Sequence, residues 1–386
     1  MELYIHIPFC VRKCTYCSFT SFPGCSQQEM ERYLFAVLRE AQLRKHEINE
    51  PLETVYIGGG TPSLIPAELF CSFLSELKTI LDFSRVHEFT TEANPGTVTP
   101  AWLDTAVSQG INRISFGVQA FQDQILQTLG RIHRSCDVAA SVKAARESGM
   151  ENISLDLMFG IPGQKAEDWA ETLHFALSLC PDHISAYGLI PEDGTPLSAQ
   201  LDSGILELPD PDSERNMYDF CIRLLAENGF EQYEISNFSR PGYACRHNIG
   251  YWDQVPYLGL GLSAASMLRP ASRPKGVFSI RTTNPDTLHE YYRLIHSPVF
   301  SVPEETISLA EARFETVMLS LRMTAGMNRK RFRDLHGAPP EAFYGDVLRR
   351  LASQGLLVLK DDSWLLTRRG MDIQNSILLE FMEDRA

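Results

Sequence analysis

The sequence predicts an α/β protein: a partial (β/α)6 barrel of the TIM type, followed by a mainly helical, winged-helix-like C-terminal domain. Three observations carry this expectation. Short β-rich runs alternate with longer amphipathic segments through roughly the first 190 residues, the pattern of βα units and a parallel sheet. The unit recurs six times, where eight would close a full barrel. Beyond Pro303 the pattern changes to helices, each bounded by glycine or proline, that end in a hairpin.

The β-like runs are Leu3–Ile7, Thr54–Ile57, Glu88–Thr91, Arg113–Val118, Asn152–Phe159 and His183–Leu189. Helices are expected between them over Gln28–His46, Pro66–Leu81, Pro100–Ser108, Ser135–Ser148 and Ala166–Ser178. Proline, glycine and acid cluster at Pro191–Pro196 and Pro209–Asp212 and mark loops before a further helix over Ser213–Asn228. The stretch Tyr233–Pro274, rich in aromatic residues, glycine and proline, reads as irregular. Helices are then expected over Glu304–Met323, Asn328–His336 and Glu341–Gln354. A hairpin follows, Leu356–Leu359 with Trp364–Thr367 around Asp361-Asp362-Ser363, and a last helix closes the chain. The expected domains are 1–235, the barrel; 236–302, an irregular linking segment; and 303–386, the winged-helix-like domain.

Charge and composition narrow the function. Thirty-five basic residues against 49 acidic give a net of −14, which disfavours non-specific attraction to nucleic acid or to an anionic membrane. Arg329, Lys330, Arg331 and Arg333 would give the winged helix a basic edge, but base readout sits on domains with a strong positive field, so packing or interaction is the expected role. The opening residues lack a basic segment followed by an apolar one, and no stretch approaches the roughly 20 apolar residues of a spanning helix. A cytoplasmic location is expected.

Nine cysteines in a long chain without such a leader read as thiols, and Cys10, Cys14 and Cys17 stand apart by their C-x3-C-x2-C spacing. Thiolate is the ligand class of iron–sulfur clusters, and three ligands on a 4Fe-4S cube leave one iron open to chelate a substrate. The chain from Cys10 to Cys17, extended to at most about 24 Å, can wrap the cube. A zinc ion on the same thiolates is the alternative, and no His or Cys stands nearby at the spacing of a fourth ligand. Gly58–Gly60 follows a strand, where small residues let the backbone approach a ligand closely. Glu92, Gln119 and Asp156 fall at or inside strands, where buried polar groups need partners.

The segment Tyr4-Ile-His-Ile-Pro-Phe-Cys-Val-Arg-Lys-Cys-Thr-Tyr-Cys-Ser-Phe19 closely resembles the opening of the radical S-adenosylmethionine (SAM) family that includes oxygen-independent coproporphyrinogen III oxidases and haem chaperones. The resemblance runs on through Gly58–Pro62, Thr91–Pro95, Ser115–Gln119, Arg131-x-His133 and Asp156–Gln164 into the C-terminal domain. It implies a partial barrel of the radical SAM kind, with a 4Fe-4S cluster on Cys10, Cys14 and Cys17. It also implies SAM contacts from Tyr4, Tyr16, Gly59, Gly60, Thr61, Glu92, Gln119, Arg131 and Asp156, with Arg131 as partner of the cofactor carboxylate.

Within that family the oxidase pattern carries a further cysteine after C-x3-C-x2-C and a substantial N-terminal extension; here Ser18 and Phe19 follow Cys17, and the first strand begins at Leu3. Arg246-His-Asn-Ile-Gly-Tyr-Trp252 resembles the H-N-x2-Y-W motif that accompanies haem binding among the chaperones, which implies His247 as a haem-iron ligand beside Tyr251 and Trp252. Read from the residues alone, a loop histidine beside two aromatics is a packing or hydrogen-bonding group. Ala265 stands where many chaperone-like chains carry histidine. The expected function is a haem chaperone that binds haem or porphyrin and delivers it to client proteins, with peripheral membrane contact and a homodimer allowed and no nucleic acid. The alternatives, both less favoured than the chaperone, are enzymes: an oxidase that decarboxylates coproporphyrinogen, or a related radical SAM methyltransferase.

Overall fold

In the computed structural model, which describes residues 1–269 and 275–383, six parallel strands run side by side in sequence order. They are β1 (Glu2–Ile7), β2 (Thr54–Gly59), β3 (Glu88–Ala93), β4 (Arg113–Gln119), β5 (Asn152–Phe159) and β6 (His183–Gly188). Side chains alternate between the two faces through the first part of each strand. One face of the sheet carries Leu3, Ile5, Val55, Ile57, Ile114, Phe116, Ile153, Leu155 and Ile184, all fully buried against the helices. The other carries Glu2, Tyr4, Thr54, Tyr56, Glu92, Arg113, Ser115, Asp156, His183 and Ser185, so the concave face is polar. The expected strands and helices are present, with Pro100–Ser108 and Ala166–Ser178 matching end to end. A short helix, Asp123–Thr128, was not anticipated.

The segment 236–302 is not the irregular linker that its composition suggests. Strands β7 (Glu231–Glu234) and β8 (Asn237–Ser239) form a hairpin on the β6 edge, so a boundary at 235/236 cuts through it. On the opposite edge β9 (Tyr257–Leu260) pairs parallel to β1, and β10 (Ala265–Leu268), β11 (Val277–Thr283) and β12 (Glu304–Ser308) extend the sheet antiparallel. The physical reason lies far away in sequence. Helix Gln27–Arg44 buries Glu40 and Arg44, and these take up the backbone of the glycine-rich turn: Gly261 N donates to Glu40 at 2.8 Å and Arg44 donates to Gly259 O at 3.1 Å. Residues 270–274 of the expected linker and 384–386 of the expected C-terminal domain lie outside the described residues.

Strand β12 also corrects the helix expected from Glu304; the helix proper is Leu309–Ser320. Its glutamates favour helix by propensity, yet on an edge strand they face solvent and pair against β11. The winged-helix-like order follows: helices Arg329–His336 and Glu341–Ser353, then strands Leu357–Lys360 and Ser363–Leu366 joined through Asp361 and Asp362, both at positive φ. The basic edge is internally neutralised at three positions: Arg329 pairs with Glu341 and Asp362, Lys330 with Asp334, and Arg331 with Asp253.

Candidate functional site

A cavity of about 350 Å³ opens at the carboxyl ends of β1–β6, the end where barrel folds assemble their ligand sites. Around it stand Cys10, Cys14, Cys17, Tyr16, Gly59, Gly60, Glu92, Gln119, Arg131 and Asp156. Ten of the thirteen residues picked from the sequence thus converge. Thr61 lies just behind the wall, donating to Cys10 Sγ at 3.7 Å and accepting from Asn94 at 2.8 Å.

The three thiols sit on the loop after β1 and are free. Burial pushes the Cys10 and Cys17 thiols up, so taking up a metal that needs thiolates releases protons. Arg131 reaches Cys14 Sγ at 3.6 Å.

Gly59 and Gly60 are required by close approach. A Cβ on Gly59, at φ 107°, would stand 2.3 Å from the His6 ring, and one on Gly60 would stand 2.6 Å from Phe9 O. Glu92 accepts from Gly59 N at 3.0 Å and from Tyr56 Oη at 2.9 Å. Burial first, and then the nearby Asp156 carboxylate, push its carboxyl up to about 7. Asp156 is raised by its own burial and held by Ser115 Oγ at 2.9 Å. A bulge in β4 turns Gln119 to φ 67°, where it accepts from Tyr187 Oη at 2.8 Å. Arg131 donates to Asn94 at 2.7 Å and to Gly117 O, yet its Nε is buried without a partner. An unpaired guanidinium donor, a buried carboxylate pair and three free thiols fit a zwitterionic cofactor beside a cluster.

Two predicted residues lie elsewhere. Tyr4 stacks on Tyr56 at 6.3 Å but lines a neighbouring hollow, its hydroxyl 3.0 Å from His6 Nδ1. His247 is in a helix, Arg246–Trp252, not a loop, and is 1% exposed. Its Nδ1 lies 2.7 Å from Thr54 Oγ1 and its Nε2 2.9 Å from Tyr251 Oη. Burial, reinforced by Arg113, lowers it to about 3, so the ring is neutral. With both nitrogens engaged, direct ligation of haem iron by His247 is not available in this conformation. The helix instead plugs the floor of the barrel: Glu88 accepts from Arg246 N and His247 N at 2.8 and 3.0 Å, and Gly250 packs where a Cβ would overlap the Glu2 carboxylate. Asn94 and Ser115 fall inside the resembling segments without having been given a role, and Tyr56 and Tyr187 lie outside them; all four are site residues.

Comparison with known proteins decides the family. Residues 4–176 match the radical SAM superfamily and residues 307–373 the HemN C-terminal domain. The chain is 35% identical to the haem chaperone HemW of Bacillus subtilis (strain 168), over 98% of each chain. This chain belongs to the HemW family. The HemW chaperone of Synechocystis sp. is 39% identical over 84% of this chain and 78% of its own. Among solved structures, coproporphyrinogen III oxidase (HemN) from Escherichia coli superposes with a TM-score of 0.83 at 22% identity, covering 98% of this chain and 89% of that one. That likeness shows the shared fold, a radical SAM barrel with its C-terminal domain. As a radical SAM protein of the HemW family, the chain takes a 4Fe-4S cluster and SAM.

Proposed function

We propose that this protein is a haem chaperone: it binds a 4Fe-4S cluster, SAM and haem, and delivers haem to client proteins. The observation that carries the reading is its end-to-end similarity to HemW chaperones, which includes the C-terminal domain as well as the barrel. The oxidase alternative rests on a likeness of fold alone.

Cys10, Cys14 and Cys17 are the proposed cluster ligands. A bound cluster supplies an open iron and an electron-transfer centre beside the cofactor. The chain's own residues would do the positioning: Arg131 would take the cofactor carboxylate and Glu92 its ammonium group, while Gly59 and Gly60, which line the cavity, would meet it through their backbone. Net charge −14 and the paired basic edge support a protein partner over nucleic acid. Exposed apolar side chains on the C-terminal domain, Val358, Leu359, Ile373 and Leu379, support contact there with a client, a second copy of the chain or a membrane surface. No described helix is long and apolar enough to cross a membrane; a cytoplasmic site of action is part of the proposal.

The test is transfer. Anaerobically reconstituted protein loaded with haem should convert an apo-haemoprotein to its holo form, and should consume neither haem nor coproporphyrinogen. Turnover of coproporphyrinogen to protoporphyrinogen, or failure to bind haem, would overturn the reading.

A further inference from the structure

We propose that the open groove on the β6 side of the barrel mouth docks a segment of a partner protein, an aromatic or aliphatic anchor flanked by lysine or arginine. The groove measures about 450 Å³ and lies between the ends of β5 and β6, the turn of the β7–β8 hairpin and the first turns of helix Pro211–Glu227. Phe159, Tyr187, Ile190, Tyr218 and Ile235 make its surface mostly apolar. Ile190 lines it and is 74% exposed. A bare aliphatic side chain beside a concave aromatic surface is area that an incoming side chain would cover.

Charge decides what flanks that side chain. The two guanidinium groups of the groove are already neutralised: Arg215 pairs with Asp219 at 3.1 Å and Asp372 at 2.7 Å, and Arg322 with Glu234 at 2.7 Å. The Glu214 carboxylate lies against the end of β6, where a Cβ on Gly188 would stand 2.8 Å from its Oε1, and it has no ion-pair partner among the described residues. The neighbouring chain carries the same sign. From Ile190 to Asp212 there are six acids, Glu192, Asp193, Asp202, Glu207, Asp210 and Asp212, and no base. All six are exposed, and the nearby cations Arg215 and Arg368 pair with Asp219 and Asp372 instead. Acids alone would describe a solvated loop. The same stretch also exposes Ile205 by 71% and Leu208 by 42%, and apolar side chains set among acids suit a basic protein surface rather than an anionic membrane.

The groove is continuous with the cofactor cavity, since Tyr187 and Ser236 line both. Helix Pro196–Asp202, in the same acidic stretch, supports the cluster loop: Leu197 N donates to Thr15 O at 2.9 Å. A segment bound in the groove therefore meets a wall of the cavity, beside the stretch that braces the cluster loop.

The inference requires no haem, so its test stands apart from the chaperone reading. The probe is a fluorescein-labelled peptide with a central phenylalanine flanked on both sides by lysines, titrated with the cluster-loaded full chain at physiological salt and read by fluorescence anisotropy. Ile190→Ser should weaken binding several-fold, as should replacing the probe's phenylalanine by glycine. Glu192→Lys combined with Asp193→Lys should weaken it at least tenfold, and Glu214→Gln, which keeps the shape against Gly188, several-fold. Iron content should stay that of the wild type in the Ile190 and Glu192/Asp193 variants, whose substituted side chains are exposed, so these decide should Glu214→Gln disturb the fold. Glu50→Lys combined with Glu76→Lys, exposed acids elsewhere on the barrel, should leave the affinity nearly unchanged. Equal weakening by that pair would show that the general negative field of the chain holds the lysines, and would overturn the site. So would a wild type that leaves the probe unbound, or an affinity indifferent to the probe's phenylalanine or to Ile190→Ser. A wild-type dimer in sedimentation that Ile190→Ser converts to monomer would make a second copy of the chain the occupant and refute the partner.

Discussion

Glu92→Gln tests the electrostatics of the cofactor cavity, because the substitution keeps the shape and an acceptor for Gly59 N while removing the charge. In the ligand-free protein Glu92 is buried near Asp156, and its carboxyl rises from 4.5 to about 7. A raised acid binds its proton more tightly folded than unfolded, so stability is highest below pH 4.5 and falls as pH rises through 7. At about 1.4 kcal/mol per pH unit, the loss is about 3 kcal/mol. Glu92→Gln should therefore match the wild type near pH 4.5 and exceed it by up to about 3 kcal/mol above pH 7, in urea denaturation of the SAM-free protein. SAM reverses the sign. The ionised carboxylate is the form that holds an ammonium group, so wild-type affinity should rise between pH 6 and 8, and the variant should bind at least tenfold more weakly without that rise. A variant that keeps the wild-type pH slope of stability, or full SAM affinity at pH 8, would refute both the burial of the charge and its role.

Three further outcomes are expected. Cys14→Ala should abolish the broad visible absorbance of the reconstituted cluster, and a triple replacement of Cys10, Cys14 and Cys17 that retained iron would remove the cluster assignment. Gly60→Ala would press a methyl group against the carbonyls of Phe9 and Ile7; strain of about 1–3 kcal/mol should appear as a lower Tm together with weakened SAM binding. His247→Ala removes the imidazole that bridges the Thr54 and Tyr251 hydroxyls and opens a void, at a cost of about 2–4 kcal/mol, measurable by urea denaturation without any ligand.

The strands were legible because each parallel strand carries its signal within six or so residues, and the cysteine spacing was legible because ligand geometry is local. What escaped was a second meaning in the same pattern. Tyr56, Ser115 and Ser185 occupy alternate positions on β2, β4 and β6, and the period of two that marks a strand also sorts these polar side chains onto the concave face. A polar set at every second position of several adjacent parallel strands has no apolar layer to join; it lines a site. The β9–β10 segment escaped for the opposite reason. Its glycines read as loop, and the groups that make it a sheet, Glu40 and Arg44, lie more than two hundred residues earlier. His247 misled because its partners, Thr54 and Tyr251, satisfy the imidazole only once the helix is seated in the barrel floor.

The same helix ties the two halves of the proposed function together. From its N-terminus Glu88 anchors it to β3, at its middle Gly250 abuts Glu2 of β1, and at its end Trp252 stacks under Arg322 of the C-terminal domain at 4.6 Å. Arg322 in turn bonds Glu234 at 2.7 Å, and Thr324 N donates to Tyr233 O, so the C-terminal domain is fastened to the β7 edge as well. Leu319 of that domain and Tyr4 of β1 then face one hollow. A hollow assembled from the first strand, the cluster loop, the plug helix and the C-terminal domain cannot survive in the barrel alone. The cofactor cavity is lined differently: β1–β6 and the loops after them are joined by Ser236 and Asn237 of the hairpin and by Asn248 of the plug helix, and among its described lining no residue comes from the C-terminal domain, so that domain shapes the hollow and not the cavity.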